Sequence, residues 1–244
     1  MNKIEEFKKE RDERINKQSS NDPITKCASE FITHAVKSQY LYNFSWMGIP
    51  IIQFPQEIAA IQEIIWDVKP DLIIETGIAH GGSIIFSASM LELLGGDGKV
   101  VGIDIDIRSH NRVEIEKHPM FKRVILIEGS SVSDETFKKV KEVCKGRKKI
   151  LVILDSNHTH EHVMNELKLF APLVSVGSYL IVLDTIIEDL PDELFSDRTW
   201  AKGDNPKTAV HQFLKTSKDF VIDKKIESKL LITVAPDGYL KRIS

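Results

Sequence analysis

Asp71-Leu72-Ile73-Ile74-Glu75-Thr76-Gly77-Ile78-Ala79-His80-Gly81-Gly82-Ser83 is the stretch on which the reading of the chain turns. Leu72 to Ile74 is a short, mostly β-branched apolar run of the kind that fills a central parallel strand covered on both faces. Gly77, Gly81 and Gly82 follow, where glycine lets the backbone take positive φ and approach a ligand closely. Ser83 is placed to cap a helix over 84–94. Strand, glycine turn and helix start in this order form the place where a nucleotide-like cofactor sits in open α/β sheets. An ordinary strand-to-helix turn has a similar composition, so the next strand carries weight.

That strand is Lys99-Val100-Val101-Gly102-Ile103-Asp104-Ile105-Asp106, entered through the Gly95-Gly96-Asp97-Gly98 turn. Its acid at the carboxyl end matches the position from which a doubly wound sheet offers a carboxylate to a ribose, Asp104 first and Asp106 second. The dinucleotide pattern G-x-G-x-x-G is absent. Glu75-x-Gly77-x-x-x-Gly81 stands in its place, and no pyrophosphate cradle is evident.

The 244 residues, 42% hydrophobic and 28% charged, suffice for one α/β domain with a substantial core. A net charge of −3 gives no global attraction to nucleic acid or to an anionic membrane. Two cysteines, Cys27 and Cys144, fit a reducing cytoplasm. No apolar run approaches the roughly 20 residues that span a bilayer, and residues 1–20 are charged rather than signal-like. Residues 1–22 read as a solvated helix or a partly disordered arm. The aromatic segment Phe31 to Phe54, with its Trp46-Met47-Gly48-Ile49-Pro50 turn, reads as packing first, and as an active-site cover or a homo-oligomer contact second.

Pro55 suits the first turn of a helix in which Ile58, Ile61, Ile65 and Val68 recur at helical spacing and which Pro70 ends. Strands at 124–128, 150–154 and 179–183 then alternate with helices near 134–144 and 161–170, as in a parallel sheet with right-handed crossovers. Two further apolar stretches, 220–226 and 230–234, read as a terminal antiparallel pair. The irregular segment near 185–206, containing Trp200, is long enough to read as a substrate lid.

Chemistry concentrates where two strands end. Leu154-Asp155 and Leu183-Asp184-Thr185 close adjacent strands in this reading, about 4.8 Å apart, so that Asp155 and Asp184 could face one hard cation such as Mg²⁺. A helix cap and a solvated turn are the plain alternatives for the two acids. His158, His160 and His162 follow Asp155. If they open a helix, His158 and His162 share a face. His160 and His162 read as surface or helix-end residues, whereas His158 reaches the cleft and could accept a substrate proton or bind the substrate.

Taken with Trp46-Met47-Gly48-Ile49-Pro50, Gly81-Gly82-Ser83, Leu154-Asp155-Ser156-Asn157-His158 and Asn205-Pro206-Lys207-Thr208-Ala209-Val210, these stretches resemble the cephalosporin hydroxylase and rhamnosyl O-methyltransferase family, a branch of the class I S-adenosylmethionine-dependent methyltransferases. The resemblance implies an α/β, Rossmann-like fold: a mostly parallel seven-stranded sheet with helices on both faces and a terminal antiparallel strand, spanning 55–244 after a helical extension and cap at 1–54. It implies S-adenosylmethionine held by Glu75, Gly77, Gly81, Ser83, Asp104 and Asp106, and Mg²⁺ held by Asp155, Asp184 and Thr185. The implied acceptor is a hydroxyl of a sugar, glycan or glycosylated metabolite. A weaker resemblance to catechol-type methyltransferases puts His158 where that type has its proton-accepting lysine, with Asp155 as its catalytic partner. A nicotinamide oxidoreductase and a non-catalytic cofactor-binding interaction protein are the competing readings.

Overall fold

A computed structural model describes residues 2–18 and 20–244. The charged amino-terminal run is helical: α1 (Lys3–Gln18) is mostly solvated and inserts only Ile15 into the fold. Lys225 pairs with Asp12 at 2.7 Å, and the Gln18 carboxamide donates to the Ser228 carbonyl, so the arm lies against the carboxyl-terminal part of the chain. Met1 and Ser19, which the arm expectation also includes, lie outside the described residues. α2 (Asp22–Lys37) turns Ala28, Ile32 and Ala35 inward. A 3₁₀ turn at Tyr40–Asn43 leads into the hairpin β1 (Phe44–Trp46) and β2 (Ile49–Ile51), which reverses over Met47 and Gly48, both at positive φ. Tyr40 meets Phe31 and Phe44 edge-on, and Phe54 lies tilted against Phe31 and Tyr40, with centroids 5.2 to 6.3 Å apart.

α3 (Pro55–Val68) buries Ile61, Ile64, Ile65 and Val68, and Lys69 ends it in the left-handed conformation ahead of Pro70. From there strands and helices alternate: β3 (Leu72–Thr76), α4 (Gly82–Leu94), β4 (Lys99–Asp104), α5 (Ser109–Lys117), β5 (Val124–Glu128), α6 (Asp134–Cys144), β6 (Ile150–Leu154), α7 (His160–Phe170) and β7 (Tyr179–Val182). α8 (Pro206–Thr216), β8 (Phe220–Ile222), α9 (Lys224–Leu230) and β9 (Tyr239–Arg242) complete the chain.

The main sheet has seven strands in the order β5-β4-β3-β6-β7-β9-β8. β3 to β7 run parallel, and β9 is antiparallel to both of its neighbours. Every side chain of β3 and β6 is buried, because helices cover both faces. The two-residue strand period sends Ile73 and Leu151 into one core and Leu72, Ile74 and Val152 into the other. Glu75 shares a face with Ile73, which aims it at α4.

The sequence reading requires four local corrections. The closing antiparallel pair is Phe220–Ile222 with Tyr239–Arg242, whereas 224–230 is α9 and 231–234 is loop. Asp223 caps α9 by accepting from the Lys225 amide. The Val234 amide donates to Glu57 and its carbonyl accepts from Ile186, so Val234 meets its backbone needs without a ladder. Ser83 does not cap α4: Gly81 is the N-cap, and the Ser83 hydroxyl donates to Glu75. Gly82 is not at positive φ, unlike Gly77 and Gly81. Finally, β4 ends at Asp104, which leaves Asp106 beyond the strand.

Candidate functional site

The strand order reverses at β3, which pairs with β4 on one side and β6 on the other. In open α/β sheets the crevice beyond such a switch point is where ligands bind. A cleft of about 920 Å³ opens there, lined from the sheet by Gly77, Asp104, Asp155 and Asp184 and from the amino-terminal segment by Leu41 and Tyr42. The turns that build it are tightly nested. A Cβ on Gly77, at φ +87°, would lie 2.0 Å from the Asp155 carbonyl oxygen. One on Gly82 would lie 2.2 Å from the Pro50 carbonyl oxygen. The glycines thus let the turn after β3 seat against Asp155 and the β2 strand, and Gly77, Gly82 and Ser83 also face the cleft. Gly81 sits against Ile115 and does not line it.

Glu75, 1% exposed, lies under this turn. It accepts from the Ser83 hydroxyl through Oε1, while Oε2 is buried without a partner. Burial pushes its carboxyl up to about 7, against a smaller opposing effect of the Ser83 hydrogen bond. Asp104 lines the cleft but spends part of its carboxylate on the turn: Oδ2 accepts from the Ile78 amide at 2.8 Å and Oδ1 from the Asp106 amide at 3.1 Å. Asp106 is exposed and lies away from the lining.

On the other side of β3, the ends of β6 and β7 bring Asp155, His158 and Asp184 together, with one ligand atom from each within 4.8 Å of the others. β6 and β7 are adjacent and parallel, so their carboxyl ends meet. Asp184 has φ +55°, a conformation that aspartate tolerates better than most residues and that turns the chain out of the strand line. His158 Nε2 is 3.2 Å from Asp184 Oδ2, and its ring meets Trp200 edge-on at 4.8 Å. The Asp155 carboxyl is held well above the usual carboxylate range by burial, then by the charges of Asp184, Glu75, Glu57 and Glu166. Thr185 does not join this group. It is fully buried, and its hydroxyl donates to the Pro236 carbonyl at 2.6 Å.

The segment after β7 forms 3₁₀ turns at Thr185–Asp189 and Asp192–Phe195. Glu188 ties it down, accepting from the Gly203 amide at 2.8 Å and the Asn205 side chain at 2.5 Å. Trp200 and Phe195 face the cleft, and the Arg198 guanidinium lies 5.5 Å from the Trp200 ring centroid.

His162 departs from the surface reading. Its Nε2 lies 3.0 Å from the Ser156 hydroxyl and 3.1 Å from that of Ser131, and it lines the cleft. Ser156 also donates to the buried Glu166 at 2.7 Å. Helical spacing relates His162 to Glu166, whereas His158 precedes α7 and shares no helix face with it, and only the packed sheet brings Ser131 from the turn after β5. His160 instead links the first turns of α7 and α8, with Nδ1 2.8 Å from the Thr208 hydroxyl.

The strand order and the cleft at the switch point define a Rossmann-like fold of the class I methyltransferase type. Solved structures share it: CmcI with Mg and SAM superposes with a TM-score of 0.57 at 20% identity, covering 83% of this chain and 78% of that one. An O-methyltransferase from Bacillus cereus in complex with SAH gives 0.52 at 15% identity, covering 80% and 81%. Residues 38–243 match the family model described as Rhamnosyl O-methyltransferase/CmcI, and the chain belongs to that family. The rhamnosyl O-methyltransferase of Mycobacterium tuberculosis strain H37Rv is 30% identical over 226 residues, 88% of this chain and 86% of that protein. Its counterpart in Mycobacterium leprae is 31% identical over 202 residues, 81% and 82%. Among the described residues, no helix is long and apolar enough to cross a membrane.

Proposed function

We propose that the protein is an S-adenosylmethionine-dependent O-methyltransferase that uses Mg²⁺ and methylates a hydroxyl of a sugar, glycan or glycosylated metabolite. The observation that carries this is the convergence of Asp155, His158 and Asp184 in the same cleft as the Gly77 turn and Asp104. Residues present fit both groups. Two carboxylates and an imidazole make a donor set for a divalent cation, and a cation there would offset the burial and the neighbouring negative charges that raise Asp155. On the donor side, the buried Glu75 supports a turn whose open face carries Gly77 and Ser83, with Asp104 at the strand end for ribose hydroxyls.

When bound, S-adenosylmethionine supplies an electrophilic methyl group, and Mg²⁺ supplies positive charge that makes a nearby hydroxyl more acidic. Asp155 and Asp184 hold the cation, and His158 takes the acceptor proton as general base. Trp200 buttresses His158 and, with the lid segment, excludes water and aligns the acceptor. Gly77, Gly81, Ser83 and Glu75 shape and support the donor turn, and residues 1–54 cap the cleft. In a second reading, favoured by the close grouping of the three side chains, His158 completes the metal set in place of Thr185. A cytoplasmic location is part of this reading, and two unpaired cysteines support it. A small-molecule or glycan acceptor, no nucleic-acid partner and self-association through the amino-terminal segment complete the proposal.

The test is transfer of a labelled methyl group from S-adenosylmethionine to glycoside acceptors, with Mg²⁺ or with EDTA. Transfer that EDTA abolishes and Mg²⁺ restores is expected. Transfer insensitive to chelation would remove the metal from the reaction, and preferential binding of NAD would favour an oxidoreductase.

A further inference from the structure

Gln53 follows β2 and is 4% exposed, yet it lines the cleft, and its carboxamide oxygen is shut off from solvent without a hydrogen-bond partner. Such an orphan costs stability unless something in the functional state satisfies it. Its surroundings explain what that could be. Pro50 and Ile51, just before it, press on Gly82 at the start of α4, and Phe54, just after it, donates its amide to Glu57. Glu57 in turn accepts from the Val234 amide, whose carbonyl accepts from Ile186 beside Asp184. Gln53 therefore belongs to the stretch that bridges the donor turn and the metal-side wall.

Resting on the proposed donor, we infer that the Gln53 carboxamide is a positioning residue for the amino-acid end of S-adenosylmethionine. If the ribose lies at Asp104 and the reacting methyl faces Asp155 and Asp184, the amino-acid end extends over the Gly77–Gly82 turn, where Pro50 to Gln53 form the roof. A carboxamide offers one acceptor and two donor hydrogens, which matches the paired ammonium and carboxylate of that end. No charge is buried by it, unlike a lysine or glutamate at the same place.

The test is calorimetric binding of S-adenosylhomocysteine and of 5′-methylthioadenosine, which lacks the amino-acid end, to wild type and Gln53→Leu, with thermal unfolding of both proteins. The variant is expected to weaken S-adenosylhomocysteine binding about tenfold or more and leave methylthioadenosine binding unchanged. Unfolding should occur at the same or a higher temperature, because the buried orphan is gone. An unchanged S-adenosylhomocysteine affinity, or equal losses for both ligands with a lower unfolding temperature, would overturn the assignment of Gln53. Gln53→Met serves the same comparison should leucine fail to fold. Failure of wild type to bind either ligand would instead overturn the donor reading itself.

Discussion

Replacing Glu75 by glutamine should stabilise the ligand-free protein at alkaline pH and do almost nothing near pH 4.5. The Glu75 carboxyl is buried with one oxygen unpartnered, and its pKa rises from 4.5 to about 7 in the folded protein. Because the folded state keeps the proton over that interval while the unfolded chain has lost it, the wild-type contribution is fully present below about 4.5 and is lost as pH rises through about 7. At about 1.4 kcal/mol per pH unit, the shift amounts to about 3 kcal/mol. Glutamine cannot ionise and still offers an oxygen to Ser83, so Glu75→Gln should exceed wild type by up to about 3 kcal/mol at pH 8.5, roughly 6–12 °C in Tm for a chain of this size. Urea unfolding of both proteins at pH 4.5 and 8.5 is the assay, because their difference cancels the other buried acids. A gap that stays the same at both pH values would refute the reasoning and place the carboxyl in a well-solvated or paired environment. The variant's lower affinity for S-adenosylhomocysteine is expected as the cost of that gain, since stabilising a binding site often weakens it.

His158→Ala should lower methyl transfer by about 100-fold or more. An unchanged Mg²⁺ midpoint would assign it as base, whereas a shifted midpoint that higher Mg²⁺ overcomes would assign it as ligand. Thr185→Val should cost about 1–3 kcal/mol by orphaning the Pro236 carbonyl, with Mg²⁺ affinity unchanged in a calorimetric titration. A loss of metal binding would return the hydroxyl to the site. Gly77→Ala should cost about 1–2 kcal/mol from its left-handed backbone alone, before the overlap with the Asp155 carbonyl. Near-wild-type unfolding of that variant would show that the turn can move away from β6.

The amino-acid sequence by itself determined the alternation of strands and helices from 72 to 182 apart from α5, whose SHNRVEIEK stretch carries too weak an apolar face to be read, because short buried runs bounded by glycine, proline and polar turns leave few other solutions. It also placed Asp104, Asp155 and Asp184 at strand ends, since in a parallel sheet the residue that closes each strand lies on the ligand-binding edge. What decided the remainder is pairing between residues far apart in the chain. Ser83 reads equally well as a helix cap until the face of β3 is known to aim Glu75 at it. Residues 230–234 are apolar enough for a strand, but Leu230 ends α9, and Glu57 and Ile186 take the backbone groups of Val234. Thr185 follows Asp184 in sequence, yet the left-handed turn at Asp184 sends its hydroxyl to Pro236. The likeness of His162 to a surface residue ends once tertiary packing sets it against Ser131 and Ser156. Local propensity reads a residue's neighbours along the chain, whereas burial and the satisfaction of polar groups are properties of neighbours in space.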